Sequence, residues 1–104
     1  EMLLRGRHLS RIFTTTELAY AKDNAATLAG NFAVKEAVSK VFGTGFFGVE
    51  PYEIEVLRNE AGAPYVKLYG KAKEIAKDKQ ISRIHVSITN TREFAQAFAI
   101  GECV

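Results

Sequence analysis

The sequence predicts an α+β fold in which helices pack on a small antiparallel sheet. Three observations predict it. Apolar residues recur at helical spacing as far as Phe42. Beyond that point, EIEVLR and YVKLY alternate apolar and polar residues with period two, and RIHVSIT and AQAFAIG follow as strands. The strand pairs are joined by short turns, which favours antiparallel pairing, so the element order reads helices, hairpin, helix, hairpin.

Met2 to Phe13 suits a helix, with Leu3, Leu4, Leu9 and Ile12 as a partial apolar stripe. Thr14 and Glu17 stand three apart and form a capping box for a short helix over Thr15 to Lys22. Asn24 caps a longer helix to Phe42, with Leu28, Phe32, Val34, Val38 and Val41 among its apolar positions. Gly43 stops it, since glycine takes the left-handed conformation a helix end needs. Glu53 to Arg58 and Tyr65 to Tyr69 are the strands of a hairpin closed by NEAGAP. Gly70 to Lys79 is a basic, moderately amphipathic helix. Arg83 to Thr89 and Ala95 to Gly101 are strands joined through TREF.

At 104 residues the chain makes one domain. A domain of this size buries only about two-thirds of its unfolded surface, so contacts between copies would help. Apolar residues make up 47% and charged residues 25%, as in soluble globular proteins. The uncharged runs are too short and too polar for a membrane span. No signal peptide is visible, although the chain begins with Glu1 rather than Met. The lone Cys103 rules out a disulfide within the domain and has no metal-ligand spacing around it, so a reducing cytoplasm is the simplest location. Net charge is +2, gathered at Arg5, Arg7, His8 and Arg11 and at Lys71, Lys73, Lys77, Lys79 and Arg83. Such clusters are either solvated faces or contacts for an acidic partner or a phosphorylated ligand.

The chemistry concentrates in FAVKEAVSKVFGTGFFG, Phe32 to Gly48. Gly43, Gly45 and Gly48 spell G-x-G-x-x-G, but a dinucleotide site needs a strand before the glycines and a helix after them. Here a helix precedes and Pro51 follows. The position where an acidic ribose ligand belongs, about 20 residues on, is Leu68. A phosphate-cradling P-loop fails too, because no Lys-Ser or Lys-Thr pair ends the run. The segment is then a helix stop, or a loop whose bare backbone approaches a ligand closely. Glu36 and Lys40 stand one turn apart. They fit an ordinary surface pair worth a few tenths of a kcal/mol. They also fit a carboxylate for a hard cation beside an ammonium for a phosphate.

The combined motifs resemble the holo-acyl-carrier-protein synthases, the small phosphopantetheinyl transferases. Their approximate pattern F-A-[AV]-K-E-A-x-x-K-A-x-G-T-G is matched at Phe32, Ala33, Lys35, Glu36, Ala37, Lys40, Gly43, Thr44 and Gly45. A G-x-P turn between strands is matched at Gly62 and Pro64. The strand ending S-[IL]-[ST]-H-[TE] followed by A-x-A reads here Ser87, Ile88, Thr89, Asn90, Thr91, then Ala95 and Ala97. The likeness runs from about Leu9 to Glu102.

The resemblance implies a phosphopantetheinyl transferase fold, a homotrimer with sites between subunits, and Mg²⁺ as cofactor. It implies transfer of the phosphopantetheine arm of coenzyme A to a serine of apo-acyl carrier protein, releasing adenosine 3',5'-bisphosphate. By position, Glu36 is the metal ligand and helps deprotonate the serine, and Lys40 contacts the pyrophosphate and assists the leaving group. Gly43, Thr44, Gly45, Gly62, Pro64, Asn90 and Thr91 approach coenzyme A. Arg7 and Arg11 of the first helix face the acidic carrier protein.

Two departures accompany the match. The family begins with a strand carrying G-x-D, whose Asp is the second metal ligand; this chain starts after that point, and Asp23 and Asp78 lie elsewhere. Residues 1–104 are therefore expected to be one domain lacking its first strand. Asn90 stands where the family has His; it can donate a hydrogen bond but cannot carry a proton. Two further classes are a basic nucleic-acid-binding module and an inactive coenzyme A-binding relative. No RNP-type aromatic signature or KH loop supports the first, so neither nucleic acid nor membrane is expected as a partner.

Overall fold

The computed structural model describes residues 6–103, with the side chains of residues 9–103. In chain order they form α1 (Gly6–Ile12), α2 (Thr15–Ala21), α3 (Ala25–Phe42), a 3₁₀ turn (Pro51–Glu53), β1 (Ile54–Arg58), β2 (Pro64–Leu68), α4 (Gly70–Asp78), β3 (Ile81–Asn90) and β4 (Ala95–Cys103). The expected order of helices, hairpin, helix and hairpin is what forms. The expected helix start at Met2 lies outside the described residues.

The capping signals act as read. The Thr14 side chain accepts from the Glu17 N–H and the Glu17 carboxylate accepts from the Thr14 N–H. The Asn24 side chain accepts from the Thr27 N–H and starts α3. Gly43 ends α3 at φ +81°. Glu53 leaves the expected strand because Pro51 opens a 3₁₀ turn, closed by Glu53 N–H donating to the Glu50 carbonyl. The last two strands run longer than the alternation alone suggests, to Asn90 and Cys103.

The antiparallel strands come as two hairpins, β1–β2 and β3–β4, rather than one continuous ladder. Val66 and Leu68 on one side face Ile81 to Ile84 on the other across a cleft of about 130 Å³. α3 is the central element. Val34, Val38 and Phe42 on it are buried with Val49, Ile54, Val56, Ala72 and Ala76, and inward residues of β3 and β4 pack on this cluster. Phe13, Ala21 and Leu28 make a second cluster beneath the first two helices.

β4 offers α3 only small residues: Ala95, Ala97, Ala99 and Gly101 alternate inward. The contact is tight enough that a Cβ on Gly101 would stand 2.7 Å from Val41 Cγ1; on the β3 side, one on Gly30 would stand 3.1 Å from Ile88 Cγ2. The outward residues of the same strand include Phe98, 67% exposed, and Ile100, 55% exposed. Large apolar side chains in a row on one open sheet face are what a contact between copies would cover.

One polar network ties the elements together from inside. Lys35 is fully buried in α3. Its ammonium donates to Glu17 Oε1 at 2.9 Å and to the carbonyls of Pro51 and Ile54 at 3.0 and 2.6 Å. The other Glu17 oxygen accepts from the Val56 N–H at 3.0 Å. Nearby Glu55 accepts from the Thr14 hydroxyl and the Tyr69 hydroxyl. Burial pushes the Lys35 ammonium below the ordinary lysine pKa, and the Glu17 carboxylate opposes that shift. The Glu55 hydrogen bond holds the Tyr69 phenol above its ordinary value.

Candidate active site

α3 positions Glu36 and Lys40 one turn apart on a face left free by the core, and both are exposed. They line a cleft of about 380 Å³ together with Ala33 and Ala37 of α3 and Ala95, Gln96 and Ala97 of β4. The alanines are why there is room: large side chains at these positions would close the space between helix and strand. A second cavity, about 350 Å³, lies farther along the same α3–β4 seam. Ala25, Ala26 and Ala29 line it, as do Asn90, Thr91 and Phe94. Ala95 borders both, so the two cavities are neighbours along α3, and the one at Glu36 and Lys40 is the groove referred to below.

The remaining expected residues divide into three groups. Asn90 and Thr91 line the second cavity rather than the one with Glu36 and Lys40. The Asn90 amide donates to the Ala26 carbonyl at 3.2 Å, and the Thr91 hydroxyl accepts from the Phe94 N–H and donates to its carbonyl. Gly43, Thr44 and Gly45 form the end of α3. The N–H groups of Thr44 and Gly45 both donate to the Ser39 carbonyl, and that of Gly43 donates to Lys40. Gly62 and Pro64 lie at the tip of the β1–β2 hairpin and line neither cavity. Gly62 adopts φ +85° there, and Asn59 closes the turn by accepting from Ala61 and Ala63. Arg11 is exposed in the last turn of α1. Arg7 lies on the same helix, and its side chain is outside the described residues.

Sequence reasoning missed two neighbours of this site. Gln96 places an amide beside Glu36 and Lys40; its only signal is its position between the two alanines of A-x-A. Lys35, matched as part of a motif, is a buried strut rather than a surface cation. Its signal was its spacing, since positions 28, 31, 35, 38 and 42 fall on one face of α3 and all are buried.

Glu36 supplies a single carboxylate. Among the described residues no three His, Cys, Asp or Glu side chains converge on a metal position. An exposed carboxylate at the rim of a groove fits Mg²⁺, which keeps waters and takes oxygens from its substrate. It does not fit a cation that needs a closed protein cage. Among the described residues no helix is long and apolar enough to cross a membrane.

Comparison with known proteins agrees with this geometry. The model of the 4'-phosphopantetheinyl transferase superfamily matches residues 3–101. The chain is 51% identical over 100 residues to a holo-[acyl-carrier-protein] synthase of Lachnoclostridium phytofermentans, covering 96% of this chain and 82% of that protein. It is 43% identical over 99 residues to one of Halothermothrix orenii, covering 92% and 79%. The fold superposes on the Helicobacter pylori holo-[acyl-carrier-protein] synthase solved in complex with coenzyme A, with TM-score 0.83, 28% identity, and 92% and 82% of the two chains covered. The Neisseria meningitidis synthase gives TM-score 0.81 at 31% identity over 93% and 82%. With the family motif, the α+β fold and a groove at Glu36 and Lys40 in agreement, the chain belongs to the 4'-phosphopantetheinyl transferase superfamily.

Proposed function

We propose that this protein transfers the 4'-phosphopantetheine group of coenzyme A to a serine of apo-acyl carrier protein. The observation that carries the reading is the placement of Glu36 and Lys40, the family's acid and ammonium, together in one groove. The serine oxygen forms a bond to the phosphorus that bears the pantetheine arm. The bond from that phosphorus to the bridging oxygen breaks, and adenosine 3',5'-bisphosphate leaves. Glu36 accepts the serine proton. Lys40 meets the charge that builds on the pyrophosphate oxygens, since its ammonium stands at the groove where that charge develops. Mg²⁺, held by Glu36, supplies charge neutralisation on the same oxygens when bound. Asn90 orients a phosphate by donating a hydrogen bond and moves no proton. Gly43, Thr44 and Gly45 offer no free N–H groups, since all three donate to carbonyls of the last turn of α3.

We further infer a homotrimer working in the cytoplasm. The open face with Phe98 and Ile100 supports contact between copies, and Gly62 and Pro64, remote from their own groove, would then reach a neighbour's coenzyme A. The acidic carrier protein docks on the basic face of α1 at Arg7 and Arg11.

The test is incubation with coenzyme A, Mg²⁺ and an apo-carrier protein, read by intact mass. A gain of one phosphopantetheinyl group on the carrier supports the reading. Coenzyme A binding without that gain would identify an inactive relative, and salt-dependent RNA binding without coenzyme A binding would identify a nucleic-acid module. Lys40→Ala is expected to lower the rate about tenfold or more while leaving the melting temperature in place, because the side chain is exposed. A collapsed melting temperature with an unchanged specific rate would make Lys40 structural. Reversing charge at Arg7 and Arg11 should raise KM for the carrier protein, leave coenzyme A affinity unchanged, and lose its effect as salt screens beyond about 8–10 Å. Equal losses for both substrates would argue against a docking helix.

A further inference from the structure

Phe47 is 91% exposed, the most exposed of the large apolar side chains on the described surface. Its neighbour Phe46 is half-buried and its ring lies 5.9 Å from that of Phe32 on α3. The loop after α3 therefore folds back along the helix, since Phe32 is about three turns before Gly43. Gly45 at φ +58° and Gly48 at φ +83° flank the two phenylalanines, and the Phe47 N–H donates to the Thr44 carbonyl at 3.3 Å. One ring is pinned on the helix and the next is held out to solvent.

What surrounds that ring decides its use. Phe32 packs on the same buried cluster as Leu9 and Ile12 of α1, and the 3₁₀ turn that ends the loop touches α1 as well. Arg11 is exposed on that helix. Glu36 follows Phe32 by one turn. Phe47 thus follows directly on the ring that packs against Phe32, one turn before Glu36, and Phe32 shares its buried cluster with Ile12, the chain neighbour of Arg11. The groove lining itself is alanine, glutamate, lysine and glutamine and does not include Phe47.

We propose that Phe47 is an apolar anchor for the carrier protein, seated against an apolar position beside the acidic surface that meets α1; this rests on the transferase reading above. A buried aromatic at the centre of a charged contact is the usual form of a binding hot spot. Arginines steer the acidic partner and the ring holds it, so the two act on different constants.

The experiment measures binding of an apo-acyl carrier protein and of coenzyme A separately, by calorimetry, to wild type, Phe47→Ala and Phe47→Leu. Phe47→Ala is expected to weaken carrier binding about tenfold with coenzyme A binding unchanged, and Phe47→Leu to restore most of it. The loss should persist at high salt, unlike that from Arg11→Glu, because apolar contact is not screened. Carrier affinity unchanged in Phe47→Ala overturns the proposal. So does a matching loss for coenzyme A, which would place the ring against the nucleotide, and so does a change in assembly mass, which would place it between copies. If wild type binds no carrier protein, the transferase reading falls and the anchor with it. If wild type binds and Phe47→Ala binds equally well, the anchor alone falls.

Discussion

Lys35→Met is expected to remove about 3–5 kcal/mol of stability, the cost of leaving one member of a buried ion pair without its partner. The amine is fully buried and meets three acceptors: Glu17 and the carbonyls of Pro51 and Ile54. Methionine fills much the same space, so loss of packing adds little. What remains is a carboxylate fixed inside the protein by the N–H groups of Thr14 and Val56, with no cation. Small domains hold about 5–15 kcal/mol in total, so the variant should unfold at far lower denaturant. The double variant Lys35→Met with Glu17→Leu should be more stable than the single one, because it removes the stranded charge. Urea unfolding of wild type and both variants checks both statements. A loss below about 1 kcal/mol for Lys35→Met would mean that water reaches Glu17 and the network is not closed.

Glu36→Gln should act in the opposite way, on rate and not on fold. The side chain is exposed, so stability should change by no more than about 0.5 kcal/mol. Turnover should fall about a hundredfold or more, since the amide can neither take the serine proton nor hold Mg²⁺ as a carboxylate does. Steady-state rates at rising Mg²⁺ decide the matter. Near-native turnover at saturating Mg²⁺ would remove Glu36 from both roles.

The two adjacent residues show how far the sequence could be read. Both belong to one motif and both are charged. Local rules recovered the frame well: the Thr14–Glu17 box, the Asn24 cap and the Gly43 stop depend on neighbours in the chain, and each formed as expected. Glu36 and Lys40 were legible as a pair because a helix places i and i+4 on one face. The inward turn of Lys35 follows from its spacing along α3, but its partners were not legible, because they are 16 to 19 positions away in either direction and only the fold brings them close. Glu17 illustrates the same limit: one oxygen caps a helix as read, and the other holds a strand 39 residues on. That the two expected hairpins stay separate instead of pairing into one sheet escaped the pattern, since alternation fixes which side chains face inward and not which strand edges meet.

The manner in which α3 ends bears on the charge that the groove is proposed to hold. A helix gathers about half a negative elementary charge at its C-terminus, on carbonyls without intrahelical partners. Lys40 lies in the last turn, so a pyrophosphate beside it would approach the repulsive pole of the helix dipole. The glycine loop answers this by folding its own N–H groups onto the carbonyls of Ser39 and Lys40. Lys40 then adds its positive charge to an end that has already been muted. The three glycines at positive φ are what let the chain turn back so closely. On the proposed assignment, the loop favours the anion less by gripping it than by masking the pole that would repel it.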